Sequence, residues 1–574
     1  MMDLRALGSV DGMLESISVV QLAEALLDKL QKQAASLSMD LIVELTKIVT
    51  HSLTVIRGAH NSLASVNKLP LDVFSIILQL VSNSLYSLAD YRTWDVYELP
   101  PWLSPYVEPY SIIDLTHVCR HWRNVALDLP SLWANVADSS CDKPVLRTLI
   151  DRSRMALLNV FMENYPLPFV TRLMTSDGHR VRSVWWEGHC NEHALQLFNF
   201  PAPAIQSLVL MEFGKLKDTP IVPVLLFHGN APRIRQLFLQ RLSWLPSNEF
   251  SSLTQLHLAS YSGPGLSSAV LTLLGRTPNL RDLILSHLRD LSVQPESRVI
   301  PLMHLRTFLY RENSAGVAPI FQHLTLGVET ALKIYYLQPS EVAVPCGLSP
   351  LPVAQSITKI AILQWTNSQW MDMSSVLAVG PQSGVDIGMF EPQSQQMVDA
   401  MFELVRDELP CVQVRELWIM EIRCALSSRH ADLATMLRCM PNLEKMVVLE
   451  ENLTQIVHAL LWSNQLPDPS SPRKPMTLHI IIHRVDDDLE TFMFHIPQLI
   501  GLGITHLTIG LLRGRTCLRL KHRPGLFEEF GFQSVVYVHH QELPIMDMPT
   551  ACTTSQHLHW LSWEKIWRDL DSEL

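Results

Sequence analysis

The residues best placed to hold a metal ion are His189, Cys190 and His193, packed into the segment EGHCNEH. Imidazole and thiolate are zinc ligands, but a structural zinc site needs four of them and no second half lies nearby in sequence. The segment therefore reads as a surface loop, and His539-His540 is a weaker pair still. Cys119 sits in an apolar helical pattern, where a thiol packs rather than reacts, because a reactive thiol needs exposure and a positive neighbourhood. There is no GxxxxGK[ST] phosphate loop, no GxSxG nucleophile elbow and no HExxH zinc helix. No catalytic, metal-binding or cofactor-binding residue is nominated, and the chain reads as a binding protein, not an enzyme. An enzyme whose groups are dispersed among the repeats described below is the remoter reading.

Composition narrows the partners. A chain of 574 residues is too long for one simple core, and 47% hydrophobic with 18% charged residues describes a folded chain. The formal net charge of -11 is spread along the sequence without a lysine- or arginine-rich block, which argues against nucleic acid or an anionic membrane as partner. The first residues carry Asp3, Asp11 and Glu15 and lack a basic stretch followed by an apolar core, so they do not read as a signal peptide. No run of about twenty apolar residues occurs, and the nearest approach, Leu499 to Leu512, is broken by glycines, Thr505 and His506. The nine cysteines are an odd number without a CxxC pair, which fits reduced thiols in cytoplasm or nucleus.

With chemistry absent, the informative segment is helical and apolar. It opens KLPLDVFSIILQLV from Lys68 and resumes as SIIDLTHVCRHWRNVALDLPSLWANV. Leu69-Pro70 can start a helix because proline's fixed φ suits the first turn, and Asp72 puts negative charge near the N-terminus. Val73, Phe74, Ile76, Ile77, Leu80 and Val81 form a wide stripe. Leu115, Val118, Cys119, Trp122, Val125 and Ala126 recur at the three- and four-residue steps of one helix face, and Leu129-Pro130-Ser131-Leu132-Trp133 follows as a stop and a new anchor. So small a unit has more apolar surface than it can bury, so part of that surface is expected to meet a partner.

The Leu69-Pro70 opening with Asp72, the Val118-Cys119-Arg120-x-Trp122-Arg123 core and the Pro130-x-Leu132-Trp133 ending resemble the F-box, in the F-box-like form of fungal proteins with leucine-rich C-terminal regions. The family's trihelical F-box docks on Skp1, an adaptor of cullin-RING ubiquitin ligases. The resemblance implies that Leu69, Pro70, Val73, Ile77, Val118 and Trp122 contribute to that contact or to the core behind it. This sequence departs from the family in Asp72, where glutamate is commoner, and in a long insertion at 82–110.

Around this segment, residues 1–66 read as a helical hairpin. Val19, Leu22, Ala23, Leu26 and Leu30 keep helical spacing, as do Leu41, Leu45, Ile48, Val49 and Ile56, with Ser36 to Ser38 as turn and cap. The hairpin is expected to pack on the neighbouring helices or cap the next domain, with dimerisation as the other reading. The F-box-like domain is assigned to 67–138, a repeat region to 139–545 and a tail with a short helix to 546–574.

In the repeat region, segments of the form apolar-x-x-apolar-x-apolar begin at Val181, Ile205, Ile234, Leu253, Leu280, Leu305, Ile357, Val414, Leu443 and Ile504. Unbroken steps of about 19 to 29 residues match the period of a leucine-rich solenoid, and room remains for strands near Leu332 to Leu337 and Val385 to Phe390. The expected fold is α/β with an all-α N-terminal part: hairpin and F-box-like helices, then an irregular leucine-rich-repeat-like solenoid built on a parallel sheet. An ordinary α/β domain is the competing architecture. The likeness to leucine-rich repeats is loose, since Tyr261 stands where such repeats often carry asparagine.

The leading functional expectation follows from the resemblance: a substrate-recognition subunit of a Skp1-cullin-F-box ubiquitin ligase, holding the adaptor with the helices and an unknown protein substrate with the repeats. A ligase-independent repeat scaffold is the alternative. Strand alternation aligns Phe238, His257 and Ile284 on one sheet face, with Trp185 and Trp418 to either side. These residues are a candidate substrate face, unless a flanking loop or the tail helix around Trp560 to Trp567 covers them.

Overall fold

The computed structural model describes residues 18–33, 36–84, 109–138, 143–163, 168–189, 196–213, 220–289, 291, 299–312, 317–336, 347–366, 372–390, 395–421, 430–465, 476–483, 489–512, 527–553 and 563–573. The fold is mixed α/β, with helices at the N-terminus and a large, mostly parallel sheet. The chain divides into two compact units: residues up to Ser82 with Tyr110–Leu129, and the remainder.

The first unit is helical: α1 (Val19–Gln33), α2 (Met39–Leu63), α3 (Leu71–Ser84), α4 (Pro109–Val118) and α5 (Arg120–Leu127). Ser38 caps α2 by accepting from the Leu41 amide, and Asp40 adds charge to the first turn. Pro70 precedes α3 and its carbonyl accepts the first helical bond, from Phe74 N at 2.9 Å. Cys119 is extended and separates α4 from α5, so Val118 and Trp122 belong to two helices rather than to the single face their spacing predicts. The unit's core is Phe74, Leu78, Ile112, Leu115, Val125 and Ala126. Helix α2 has no fully buried residue, and its C-terminal end is joined to α5 through Asn61, Asn67 and Trp122. Of the insertion at 82–110, positions 85–108 lie outside the described residues.

The second unit holds a 17-stranded sheet. Its strands are β1 (Asn135–Ala137), β2 (Leu158–Glu163), β3 (Val181–Gly188), β4 (Ser207–Glu212), β5 (Gln236–Gln240), β6 (Gln255–Tyr261), β7 (Asp282–Leu288), β8 (Thr307–Glu312) and β9 (Ala331–Tyr336), then β10 (Lys359–Thr366), β11 (Asp372–Val379), β12 (Gly384–Phe390), β13 (Glu416–Glu421), β14 (Lys445–Leu449), β15 (Met476–Ile482), β16 (Ile504–Leu512) and β17 (Ser534–His540). Strands β1 to β9 are parallel neighbours in chain order, and so are β13 to β17. Between these runs the chain doubles back. Strand β12 lies parallel to β9, β10 lies parallel to β13, and β11 joins them antiparallel to both.

The ladder aligns one register row across the sheet. It passes through Phe161, Trp185, Val209, Phe238, His257, Ile284, Leu309 and Lys333, then Asp386, Leu377, Ala361, Trp418, Val447, His479, Thr508 and Val536. Alternate positions such as Leu237, Leu256, Leu258 and Leu283 point to the other face and are fully buried there. Both faces of the central strands are buried, which is why they read as apolar runs rather than alternating ones. Pro130–Trp133, assigned from the sequence to the F-box-like domain, belongs to this unit. Leu132 and Trp133 are buried, with the Arg152 guanidinium 4.5 Å from the indole centroid.

Candidate functional site

In the helical unit, α3 is apolar on two sides. Phe74 and Leu78 face inward, and Phe74 stacks on His121 and meets Trp122 edge-on at 5.2 Å between ring centres. About half a turn away, Val73, Ile76 and Leu80 are 40%, 56% and 61% exposed, spaced i, i+3, i+7 along one stripe. A helix apolar on opposite sides has one side for its own core and one for something else.

The residues implied by the F-box resemblance divide accordingly. Val73 and Pro70 are exposed, as is Val118, while Leu69 and Ile77 are half-buried. Trp122 is half-buried. Its indole Nε1 donates to Asn67 Oδ1 at 2.7 Å, and Asn67 Nδ2 donates to the Asn61 carbonyl at 2.7 Å, tying α5 to the end of α2. Ile76 and Leu80 are more exposed than any implied contact except Pro70 and Val118, and the resemblance did not single them out.

The sheet face is different. Phe238, His257, Ile284 and Trp418 are buried and Trp185 is half-buried, so the expectation of an open aromatic surface is corrected. Phe238 packs among Val209, Met211, Ala259 and Trp185, with the His257 ring edge-on at 4.5 Å. From β7 to β16 the same face is covered by the C-terminal segment. Ile284, Leu309, Leu363, Trp418, Val447 and Leu512 form one core with Leu543, Met546, Cys552, Trp563, Trp567 and Leu570. Trp567, on the last helix α6 (Glu564–Glu573), meets Trp418 edge-on at 5.2 Å.

Two polar groups interrupt this apolar seat. Lys333 and Asp386 are register partners, both buried, with Nζ and Oδ2 3.9 Å apart and Nζ 6.0 Å from the Trp563 ring centre. Asp386 also accepts from Tyr335 Oη at 2.9 Å and Ser375 Oγ at 2.5 Å. Burial pushes the Lys333 ammonium down to about 8 and the Asp386 carboxyl up, while their mutual attraction opposes both shifts. The second group is His479 with His540, rings 5.5 Å apart over Gly510. A Cβ on Gly510 would lie 2.7 Å from His479 Nε2, so a larger residue there would have to push the imidazole aside. Burial, then His540 and Lys445, push His479 down to about 4.

No cluster of three or more metal-ligating side chains occurs among the described residues. His189 Nδ1 lies 3.4 Å from the Glu212 carboxylate, whereas Cys190 and His193 fall outside the described residues. Among the described residues no helix is long and apolar enough to cross a membrane. No protein-family model matches the chain, and no curated protein matches it.

Proposed function

We propose that the protein is a substrate-recognition subunit of a Skp1-cullin-F-box type ubiquitin ligase and not itself an enzyme. The helices from Leu69 to Leu129 would hold a Skp1-type adaptor and, through it, a cullin. The sheet unit, read as an irregular leucine-rich-repeat-like solenoid, would capture the target protein. Catalysis then comes from other subunits, and tethering acts by raising the target's effective concentration at a charged ubiquitin-conjugating enzyme. The observation that carries the adaptor half is the exposed apolar stripe Val73–Ile76–Leu80 on the helix that opens with Leu69-Pro70. The solenoid half draws on chain-order neighbours and a shared register row from β1 to β9 and from β13 to β17.

The test is binding of purified full-length protein to a purified Skp1-type adaptor. Wild type should bind at micromolar concentration, and Val73→Asp with Leu80→Asp should weaken binding at least about tenfold with an unchanged melting temperature, because exposed substitutions seldom shift stability by more than about 0.5 kcal/mol. No binding by wild type overturns the reading. A scaffold without a ligase role is the second reading. It draws on α2, which buries no residue and exposes Ile42, Val49 and Ile56 at seven-residue spacing, a seam suited to a helical partner.

A further inference from the structure

The C-terminal segment sits on the sheet face that would otherwise receive a target, and its seat differs from an ordinary core in three respects. Trp563, Trp567 and Leu570 are spaced i, i+4, i+7, so one side of the segment carries all three, and all are fully buried. The opposite side is polar, with Lys565 and Arg568 exposed. The helix therefore lies on the sheet by one face, as an amphipathic ligand lies in a groove.

Next, the indole N–H groups of Trp563 and Trp567 are both buried without a hydrogen-bond acceptor among the described residues. Buried indoles ordinarily find an acceptor, so the segment is seated at a cost that its apolar contacts must offset. Beneath Trp563, Lys333 and Asp386 are shut away from water at a separation of 3.9 Å, too long for a direct hydrogen bond. Desolvating two charges opposes closure in the same way. Departure of the segment returns both indoles and both charges to water, so the closed form is opposed by groups that its own contacts bury.

We propose that residues 543–553 and 563–573 are a removable occupant of the sheet face between β7 and β16. In their place the face takes a partner segment of the same chemistry, an amphipathic helix presenting bulky apolar side chains at i, i+4 and i+7. The inference rests on the target-capture half of the proposed function and makes no use of the adaptor contact.

The experiment uses full-length wild type and full-length Trp563→Ala with Trp567→Ala, probed by fluorescence anisotropy with a labelled synthetic peptide of residues 563–573. The tethered segment competes at an effective concentration of about millimolar, so wild type should leave a peptide at about 100 μM unbound. The double variant, its own segment loosened, should bind the peptide at least about tenfold more tightly than a scrambled peptide, the size of effect that an avidity of this order permits. A folded double variant that does not distinguish the two peptides overturns the proposal. If the variant does not fold, hydrogen exchange of wild type decides: amides of 564–571 should open at least about tenfold faster than those of β13 and β14 beneath them. Equal exchange makes the segment an integral core element and overturns the proposal. Adaptor binding measured on the same samples reports separately on the ligase reading.

Discussion

Asn67 and Trp122 show how much a single side chain decides in the helical unit. Asn67 accepts from the indole and donates to the Asn61 carbonyl, so Asn67→Leu strands two partners at once. The expected loss is about 1–3 kcal/mol, read as a lowered urea midpoint. Trp122 is half-buried rather than buried. Trp122→Ala should therefore cost about 2–3 kcal/mol, below the roughly 3–5 of a fully enclosed indole. The Lys333–Asp386 pair calls for a different experiment. Lys333→Met alone leaves a buried carboxylate without its cation and should destabilise by about 3–5 kcal/mol, whereas Lys333→Met with Asp386→Leu should recover most of that loss. A double variant as unstable as the single one contradicts this account.

His479 supplies a pH dependence whose sign follows from burial. Its folded value, about 4, lies below the ordinary 6.5, so between these values the unfolded chain binds the proton and the folded chain does not. Stability is unaffected by this group above pH 6.5, falls as pH drops through the window, and carries the full penalty below about pH 4. His479→Leu should flatten that part of the melting-temperature profile, and an unchanged slope would place the acid sensitivity elsewhere. His540 is also held below its ordinary value, by burial and then by His539, so it retains part of the slope.

At the scale of elements, helix α3 was legible in advance because its start has a physical signature. Proline and Asp72 can occupy those positions, and the apolar run must be helical to be accommodated at all. Which side of it faces inward was not legible, since both sides are apolar. Only packing against α4 and α5 assigns Phe74 and Leu78 to the core and leaves Ile76 and Leu80 outside. The break at Cys119 is not legible for a similar reason, because a one-residue extension between two short helices leaves the apolar spacing almost unchanged. Among the strands, β9 and β12 lie where gaps in the repeat left room for them. Strand β11, Asp372–Val379, is not legible in the sequence, because its two serines interrupt the apolar pattern and it runs antiparallel into the turn where Gly380 N donates to the Ser383 carbonyl.

The whole sheet is held by two different arrangements. The face of β4 to β6 is filled by its own side chains, Val209, Met211, Phe238 and Ala259, while the same face from β7 to β16 shares a core with the C-terminal segment. Burying Leu570 contributes about 1.5–3 kcal/mol, and a buried indole N–H with no acceptor among the described residues gives back about 1–3. Trp567→Ala should thus lower hydrogen-exchange protection in β10, β13 and β14 while leaving β3 to β5 unchanged, because Trp567 shares a core with Leu363, Trp418 and Val447 and not with Val209 or Phe238. A uniform loss across all strands would show that the sheet unfolds as one body.

Local physics written into the sequence determined the starts of α2 and α3, most strand positions, the mostly parallel order and the absence of recognisable catalytic motifs. Each of these depends on residue type, spacing or chain-order connection, which the sequence carries explicitly. The register row itself was also foreseeable, since alternation places Phe238, His257 and Ile284 side by side. What covers that row was decided only in three dimensions. The tail pairs Trp567 with Trp418 across 149 positions of chain, and a contact of that separation leaves no periodic trace in either segment. Burial is a property of what lies opposite a side chain, so the same Trp418 reads as a binding residue in sequence and as core once the tail is in place.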